Sequence, residues 1–149
     1  MKKAILTIGI SASGKSTWAR EYVEQSTTNI VEINRDNVRF GIIGTEDWTK
    51  WAFTPENEER VTEICNEQMD DAIQRGDDII VSDTNLTEHF VKQVAHKLMM
   101  HGYEVSIKWM PVELDEALRR NAERSNPVLP SVIDKQYHKF VALYNKYNQ

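Results

Sequence analysis

Residues 9–16, GISASGKS, fit the pattern G-x-x-x-x-G-K-[ST] and follow a short apolar, β-branched run. A helix-compatible segment comes after them, which gives the strand, glycine loop and helix that a phosphate site needs. In this context, backbone N–H groups and the helix N-terminus point at an anion. Lys15 would reach the β- and γ-phosphates of ATP, and the Ser16 hydroxyl would hold Mg²⁺. A Gly/Ser turn that binds nothing is the alternative, but the lysine and hydroxyl favour binding of a nucleoside triphosphate.

An aspartate and an arginine follow the second apolar run at a spacing that suits phosphoryl transfer. Asp36 and Arg39 are three residues apart, which places both side chains on one face of a short helix. Asp36 could accept a proton from an attacking hydroxyl while Arg39 binds a phosphate of the acceptor. The alternative is an N-cap aspartate beside a solvated arginine.

The third apolar run ends at another carboxylate. Asp83 stands where a carboxylate completes a Mg²⁺ shell through water, or alternatively where one caps a turn. Thr84, next to it, is either an acceptor contact or a turn residue. Spacing does not choose between these interpretations.

Two arginines in the C-terminal third predict a lid over ATP. Arg120 and Arg124 are four residues apart in a helical segment that runs into a proline-containing loop, so the lid covers about residues 120–130. A lid arginine can stabilise the migrating phosphoryl group. The alternative is a solvated basic helix face paired with Glu116 and Glu123.

The elements that position these residues alternate between strand and helix. Strand patterns cover residues 4–8, 30–33, 79–81 and 103–109. Alternation of this kind predicts an α/β fold with a parallel sheet, helices on both faces and ligands at the carboxyl ends of the strands. Helices are expected to begin at Thr54 and Thr87, to cover about 113–123, and to begin again at a Ser131 capping box. Gly102 is expected to end the second of these helices. The apolar side predicted for that helix consists of Phe90, Val91, Val94, Ala95, Leu98 and Met99.

An irregular segment over residues 41–53 contains Trp48, Trp51 and Phe53. These rings either stack on a nucleobase or pack a surface loop onto the domain.

Composition limits the class of protein. A length of 149 residues predicts one domain, covering 1–149, and the single cysteine, Cys65, excludes an intramolecular disulfide. A net charge of −5 argues against wrapping of nucleic acid but allows contact with a few phosphates. With no apolar run long enough for a bilayer, we expect an intracellular protein without a membrane partner, in the cytoplasm, or the host cytoplasm if viral. The oligomeric state stays open.

Taken jointly, these residues resemble the kinase domain of the T-even phage polynucleotide kinase–phosphatase family. The resemblance rests on residues 2–9, 13–21, 33–36 with Arg39, 82–86, and Arg120, Asn121, Arg124, Leu129 and Pro130. It implies a P-loop kinase sandwich with a four-stranded sheet in the order 2-3-1-4 and a C-terminal lid. It also implies ATP- and Mg²⁺-dependent phosphorylation of a 5′-hydroxyl end of DNA or RNA, in end repair.

The same resemblance assigns roles residue by residue. It implies that the catalytic residues are Lys15, Asp36 as the general base, and Arg124. It implies that the nucleotide-binding residues are Gly9, Ser13, Gly14, Lys15, Ser16, Thr17, Arg120 and Arg124. The acceptor residues would be Arg39, Asp83, Thr84, and Leu129 and Ile133, which would sandwich the terminal base.

Two features leave other functions open. The sequence lacks the family's Asp-x-Asp-Gly-Thr motif, so the resemblance does not carry over the family's 3′-end healing or an oligomer built through its phosphatase domain. Nucleotide and small-molecule P-loop kinases also use an Asp-x-x-Arg arrangement. An ATP-binding module that switches partner affinity is a further alternative.

Overall fold

Four parallel strands form the centre of the molecule in the computed structural model, which describes residues 1–148. The strands are β1 (Lys2–Ile8), β2 (Ile30–Ile33), β3 (Asp78–Val81) and β4 (Tyr103–Trp109). They pair in the order β2-β3-β1-β4, which confirms the predicted order 2-3-1-4. In register, Ala4 of β1 stands opposite Ile79 of β3 and Val105 of β4, and Ile33 of β2 stands opposite Val81.

Among the described residues, six α-helices and one short 3₁₀ helix at Trp48–Lys50 connect and surround the sheet. The α-helices are α1 (Lys15–Gln25), α2 (Arg35–Ile43), α3 (Pro55–Arg75), α4 (Glu88–Met100), α5 (Leu114–Ala122) and α6 (Pro130–Tyr147). The strands carry the crossovers expected of βαβ units, so their carboxyl ends share one edge of the sheet. No helix among residues 1–148 is both long and apolar enough to span a membrane.

The hydrophobic core has two main parts. One joins β1 and β3 to α3 and α4 through Leu6, Val81, Met69 and Leu98, all of which are buried. The other joins the end of β1 to α5 and α6, through residues that include Ile8, Ala117, Ile133 and Phe140. The second part therefore fixes the C-terminal helices, and with them the expected lid, to the strand that leads into the phosphate loop.

Local signals explain where several helices begin and end. Thr54 caps α3 by accepting a hydrogen bond from the Asn57 N–H, and proline occupies the first turn. Asn34 caps α2 by accepting from the Asn37 N–H. The α3 start at Thr54 was predicted and is confirmed, whereas the interpretation of Asp36 as an N-cap is wrong because Asn34 takes that role. Gly102 has a φ of +85° directly after the cap of α4, as expected.

Two expectations for the helices are wrong. The capping box at Ser131 does not form, because α6 begins at Pro130 with Leu129 at its N-cap, and proline is preorganised for the first helical position. On α4, Phe90 and Met99 are 62% and 55% exposed rather than part of the buried stripe. That stripe is narrower than predicted and follows Val91, Val94 and Leu98.

Candidate active site

The phosphate loop is held in shape by a close approach of three chain segments. An added Cβ at Gly9 would lie 2.7 Å from Ser13 Oγ and 2.8 Å from Met110 Cβ, so only glycine fits there. The Gly9 N–H donates to the Thr84 carbonyl at 3.1 Å, which ties the loop to the end of β3. Gly14 has a φ of +96°, a left-handed conformation that favours glycine.

Lys15 is enclosed by the loop to which it belongs. Its Nζ donates to the Ile10 carbonyl at 2.6 Å and to Ser13 Oγ at 3.4 Å. Burial lowers the pKa of Lys15 to about 8, with the Asp36 and Asp83 carboxylates opposing the shift and the Arg124 charge adding to it. An ammonium so poorly compensated by its surroundings is suited to receive a phosphate.

One cavity of about 990 Å³ brings together most of the residues predicted for the site. This volume is at the upper end of the range for ligand pockets, and it leaves room for two reactants. The predicted residues that line it are Gly14, Lys15, Ser16, Thr17, Asp36, Arg39, Asp83, Thr84, Arg120 and Arg124. Gly9 and Ser13 are buried within the loop instead, where they determine its shape.

Asp36 and Arg39 lie on one face of α2, as predicted, and they also form an ion pair, which is held by a residue that was not predicted. Arg39 Nη1 donates to Asp36 Oδ1 at 2.7 Å. The rest of its guanidinium donates to Glu58 on α3, with Nε 3.1 Å from Oε2 and Nη2 2.5 Å from Oε1. Glu58 also accepts from Trp51 Nε1 and Arg35 Nη2. Glu58 therefore orients Arg39 from 19 residues away, a relation for which one sequence gives no signal.

Asp83 is fixed at the end of β3 by the start of α2. Its Oδ1 accepts a hydrogen bond from the Arg35 N–H at 2.7 Å. Burial raises the pKa of Asp83, and the bond from Arg35 opposes that shift. Nearby, the Asn34 side-chain amide donates to the Ser82 carbonyl at 3.2 Å, which joins the ends of β2 and β3. The two strand ends that carry Asp36 and Asp83 are thus held together.

The arginines in and beside the predicted lid divide into two groups. Arg120 Nη1 donates to the Ala12 carbonyl of the phosphate loop at 3.2 Å, and its Nε pairs with Glu116 at 2.9 Å. Arg119 pairs with Glu116 and Glu123 at the surface. This pairing agrees with the alternative prediction of a solvated basic helix face. Arg124 lines the cavity. One face of this segment is therefore solvated, and the other faces the phosphate loop.

The prediction that Ile133 contacts the terminal nucleobase is wrong. Ile133 is fully buried with Phe140 and Leu143, because its position matches the apolar stripe of α6. Leu129 is 69% exposed and does not line the cavity. Val128 and Val132 line it instead. The helical period of α6 was the signal that could have separated Val132 from Ile133.

The donor set suits Mg²⁺. Ser16 supplies a hydroxyl and Asp83 a carboxylate, and both line the same cavity as Lys15. Magnesium takes few protein ligands and completes its shell with waters and substrate phosphates, so two oxygen donors beside a phosphate loop are sufficient. No cluster of three or more His, Cys, Asp or Glu side chains suited to a metal occurs among residues 1–148.

Comparison with known proteins gives the family. Residues 5–143 match the family described as an AAA domain. The chain belongs to this family. It is also similar to a protein of Autographa californica nuclear polyhedrosis virus that is described as a bifunctional polynucleotide kinase/RNA ligase. The two are 38% identical over 154 aligned positions, which cover 97% of this chain and 22% of the relative.

Solved structures confirm the fold. A chain of the Pnkp1/Rnl/Hen1 RNA repair complex superposes with a TM-score of 0.81 at 21% identity, covering 99% of this chain and 46% of that chain. A gluconokinase from Sinorhizobium meliloti 1021 superposes with a TM-score of 0.58 at 14% identity, covering 92% of this chain and 74% of the gluconokinase. The chain thus spans about a fifth of the viral relative and less than half of the repair-complex chain.

Proposed function

We propose that this protein is an ATP-dependent polynucleotide kinase that transfers the γ-phosphate of ATP to the 5′-hydroxyl end of DNA or RNA. The observation that carries the proposal is the single cavity that joins the phosphate loop to the Asp36–Arg39 pair. A phosphate loop alone binds a nucleotide. A phosphate loop that faces a carboxylate and a guanidinium suits transfer of a phosphoryl group to a second reactant. The name of the viral relative supports a polynucleotide acceptor and a role in end repair.

On the donor side, this chain supplies charge and position. Lys15 and the backbone N–H groups of the loop would bind the β- and γ-phosphates of ATP. Ser16, with Asp83 through water, would hold Mg²⁺, which supplies further neutralisation of phosphate charge when bound. Arg120 and Arg124 would close over the triphosphate from the lid. Transfer would then take place away from bulk water, which limits hydrolysis of ATP.

On the acceptor side, Asp36 would act as the general base. Its side chain is 49% exposed, and the ion pair with Arg39 fixes its position. As the 5′-oxygen forms a bond to the γ-phosphorus, the bond from that phosphorus to the β–γ bridging oxygen breaks and ADP leaves. The hydroxyl proton passes to the Asp36 carboxylate. Arg39 would hold the first phosphate of the acceptor and so align the hydroxyl.

The conservative substitution Asp36→Asn tests this assignment. The measurement is transfer of labelled γ-phosphate to a 5′-hydroxyl oligonucleotide, together with binding of ATP. We expect transfer to fall by about 10²- to 10⁴-fold with ATP affinity retained, because a positioned base contributes a factor of that size. Asp71→Asn, which changes an exposed carboxylate of α3, is the matched control and should keep full transfer.

The same assay separates the alternatives. Labelling of a free nucleotide or a sugar nucleotide, with no labelling of oligonucleotides, would make the protein a small-molecule kinase. Slow release of phosphate that Asp36→Asn leaves unchanged would indicate an ATP-dependent switch module. The half-buried free thiol of Cys65 fits a reducing compartment, so we propose the cytoplasm, or the host cytoplasm for a viral protein, as the place of reaction.

A further inference from the structure

The segment between α2 and α3 presents its three aromatic rings in two different ways. Trp51 is buried, and its Nε1 donates to Glu58 Oε2 at 3.1 Å, so this ring anchors the segment to α3. Phe53, two residues later, is 64% exposed. The packing interpretation of the aromatic cluster therefore accounts for Trp51, whereas most of the Phe53 side chain stays open to solvent.

Phe53 and Trp48 form an aromatic surface at the wall of the cavity. Their rings are stacked at an angle of 21°, with centroids 5.8 Å apart. Phe40 packs against Trp48 in an edge-to-face arrangement, with ring centroids 4.7 Å apart. Both Trp48 and Phe53 line the same cavity as Asp36 and Arg39. A rigid aromatic surface of this kind suits a flat ligand, because every nucleobase has a π-face.

Arg39 fixes where along the acceptor this aromatic surface lies. Its guanidinium bonds to Asp36 and lies 5.4 Å from the centroid of Phe53. An acceptor strand presents, in order, its 5′-hydroxyl, its first sugar, its first bridging phosphate and its second nucleotide. If Asp36 meets the hydroxyl and Arg39 the first phosphate, the group against Phe53 is the second nucleotide.

We propose that Phe53, supported by Trp48, is the stacking surface for the second nucleobase of the acceptor strand. The proposal rests on the proposed function and deepens it, since it makes the acceptor a polynucleotide rather than a mononucleotide. Phe53 has no hydrogen-bonding group, so the contact accepts any base. The first base is left to the apolar wall of the cavity that Val128 and Val132 provide.

The experiment compares three acceptors: a nucleoside 3′-monophosphate, a dinucleotide, and the same dinucleotide with an abasic second residue. We expect the wild-type protein to favour the dinucleotide over the other two by about 5- to 150-fold in kcat/KM, the range for one stacked base. In Phe53→Ala this preference should fall towards one, through KM for the acceptor, with KM for ATP unchanged. Phe53→Trp should restore it.

Phe90→Ala is the matched control, because Phe90 is 62% exposed but lies on α4 outside the cavity. The proposal is overturned if Phe53→Ala keeps the dinucleotide preference as Phe90→Ala does. It is also overturned if Phe53→Ala lowers kcat/KM for the nucleoside 3′-monophosphate as much as it lowers kcat/KM for the dinucleotide, since the ring would then contact the first base.

A binding measurement separates this proposal from the proposed function. Fluorescence anisotropy of a 3′-fluorescein-labelled, 5′-hydroxyl hexanucleotide is followed without ATP. Weaker binding to Phe53→Ala supports the stacking surface even if no phosphate is ever transferred, in which case the proposed function alone fails. If the wild-type protein binds no hexanucleotide and labels none, both fail.

Discussion

Burial of the Lys15 ammonium is unfavourable in free energy, and the phosphates of a bound nucleotide would offset this. The Lys15 pKa of about 8 means that the free protein loses this charge as the pH rises above that value. A triphosphate against the ammonium favours the charged form, so ATP binding above pH 8 requires uptake of a proton. Affinity for the nucleotide is therefore linked to pH through this one residue.

The dissociation constant of a non-hydrolysable ATP analogue should rise with pH above about 8, approaching tenfold per pH unit. Titration calorimetry in buffers of different ionisation enthalpy measures both the affinity and the proton uptake. Lys15→Arg should flatten the profile, because arginine stays charged throughout this range. A wild-type affinity that is constant up to pH 10 would contradict the prediction.

The lowered pKa of Lys15 also affects the stability of the protein. Affinity for the nucleotide falls as the pH rises, whereas the contribution of Lys15 to stability rises. Between the folded value of about 8 and the ordinary value of 10.5, the unfolded chain binds more protons at Lys15 than the folded one. The contribution of this residue to the free energy of unfolding of the nucleotide-free protein therefore increases with pH over that window. Lys15 thus becomes less unfavourable to folding while it becomes less able to bind ATP.

At the scale of elements, the pairing of α2 with α3 positions the residues proposed to bind the acceptor. Arg39 comes from α2, and Glu58, which holds its guanidinium, comes from the first turn of α3. The hydrogen bond from Arg39 lowers the pKa of Glu58, with burial opposing the shift. The stabilisation from this pair is therefore present above the ordinary value of 4.5 and is lost as the pH falls through the lowered pKa.

Glu58→Gln should lower the free energy of unfolding at neutral pH by about 1–3 kcal/mol, the range for losing hydrogen bonds to a charged group. It should also raise KM for the acceptor while KM for ATP stays the same, because Arg39 loses its support. Denaturant unfolding and steady-state kinetics measure the two effects. Glu59→Gln, which changes the exposed neighbour on α3, is the control. If both variants behave alike, Glu58 does not position Arg39.

The elements most open to prediction were those with local signals. Strand β2 and strand β4 were predicted at their observed bounds, and Thr54 was identified as a cap, because β-branched runs and proline at the first helical position act over a few residues. Glu58 was missed because its partners come from other segments of the chain. Ile133 was misplaced because a resemblance fixes a region of α6 but not which residue of a turn points inward.

At the scale of the whole molecule, charge limits how nucleic acid can be bound. The net charge is −5, and the basic residues at the cavity are few. A protein of this charge would hold the end of a strand rather than follow its backbone. Recognition would then depend on the terminal hydroxyl, one or two phosphates and stacked bases.

Affinity for a single-stranded oligonucleotide should accordingly depend weakly on salt. The logarithm of the binding constant should fall against the logarithm of salt concentration with a slope no steeper than about −1.5, which corresponds to about two phosphate contacts. Arg39→Gln should make the slope shallower by about 0.7, whereas Arg60→Gln, outside the main cavity, should not. A slope of about −4 or steeper for the wild-type protein would indicate contacts along the backbone instead.

The groups proposed to meet the acceptor hydroxyl, its first phosphate and its second base lie close together along the chain. Asp36, Arg39, Phe53 and the supporting Glu58 all fall between the cap of α2 at Asn34 and the first turn of α3. The phosphate loop and the lid arginines come from other segments. The contacts proposed for the hydroxyl, the first phosphate and the second base are thus encoded in one contiguous segment of the gene, whereas Val128 and Val132, proposed for the first base, lie outside it. Exchange of that segment between relatives, by recombination or by design, would alter the proposed contacts to the first phosphate and the second base while the segments proposed to bind ATP are inherited unchanged.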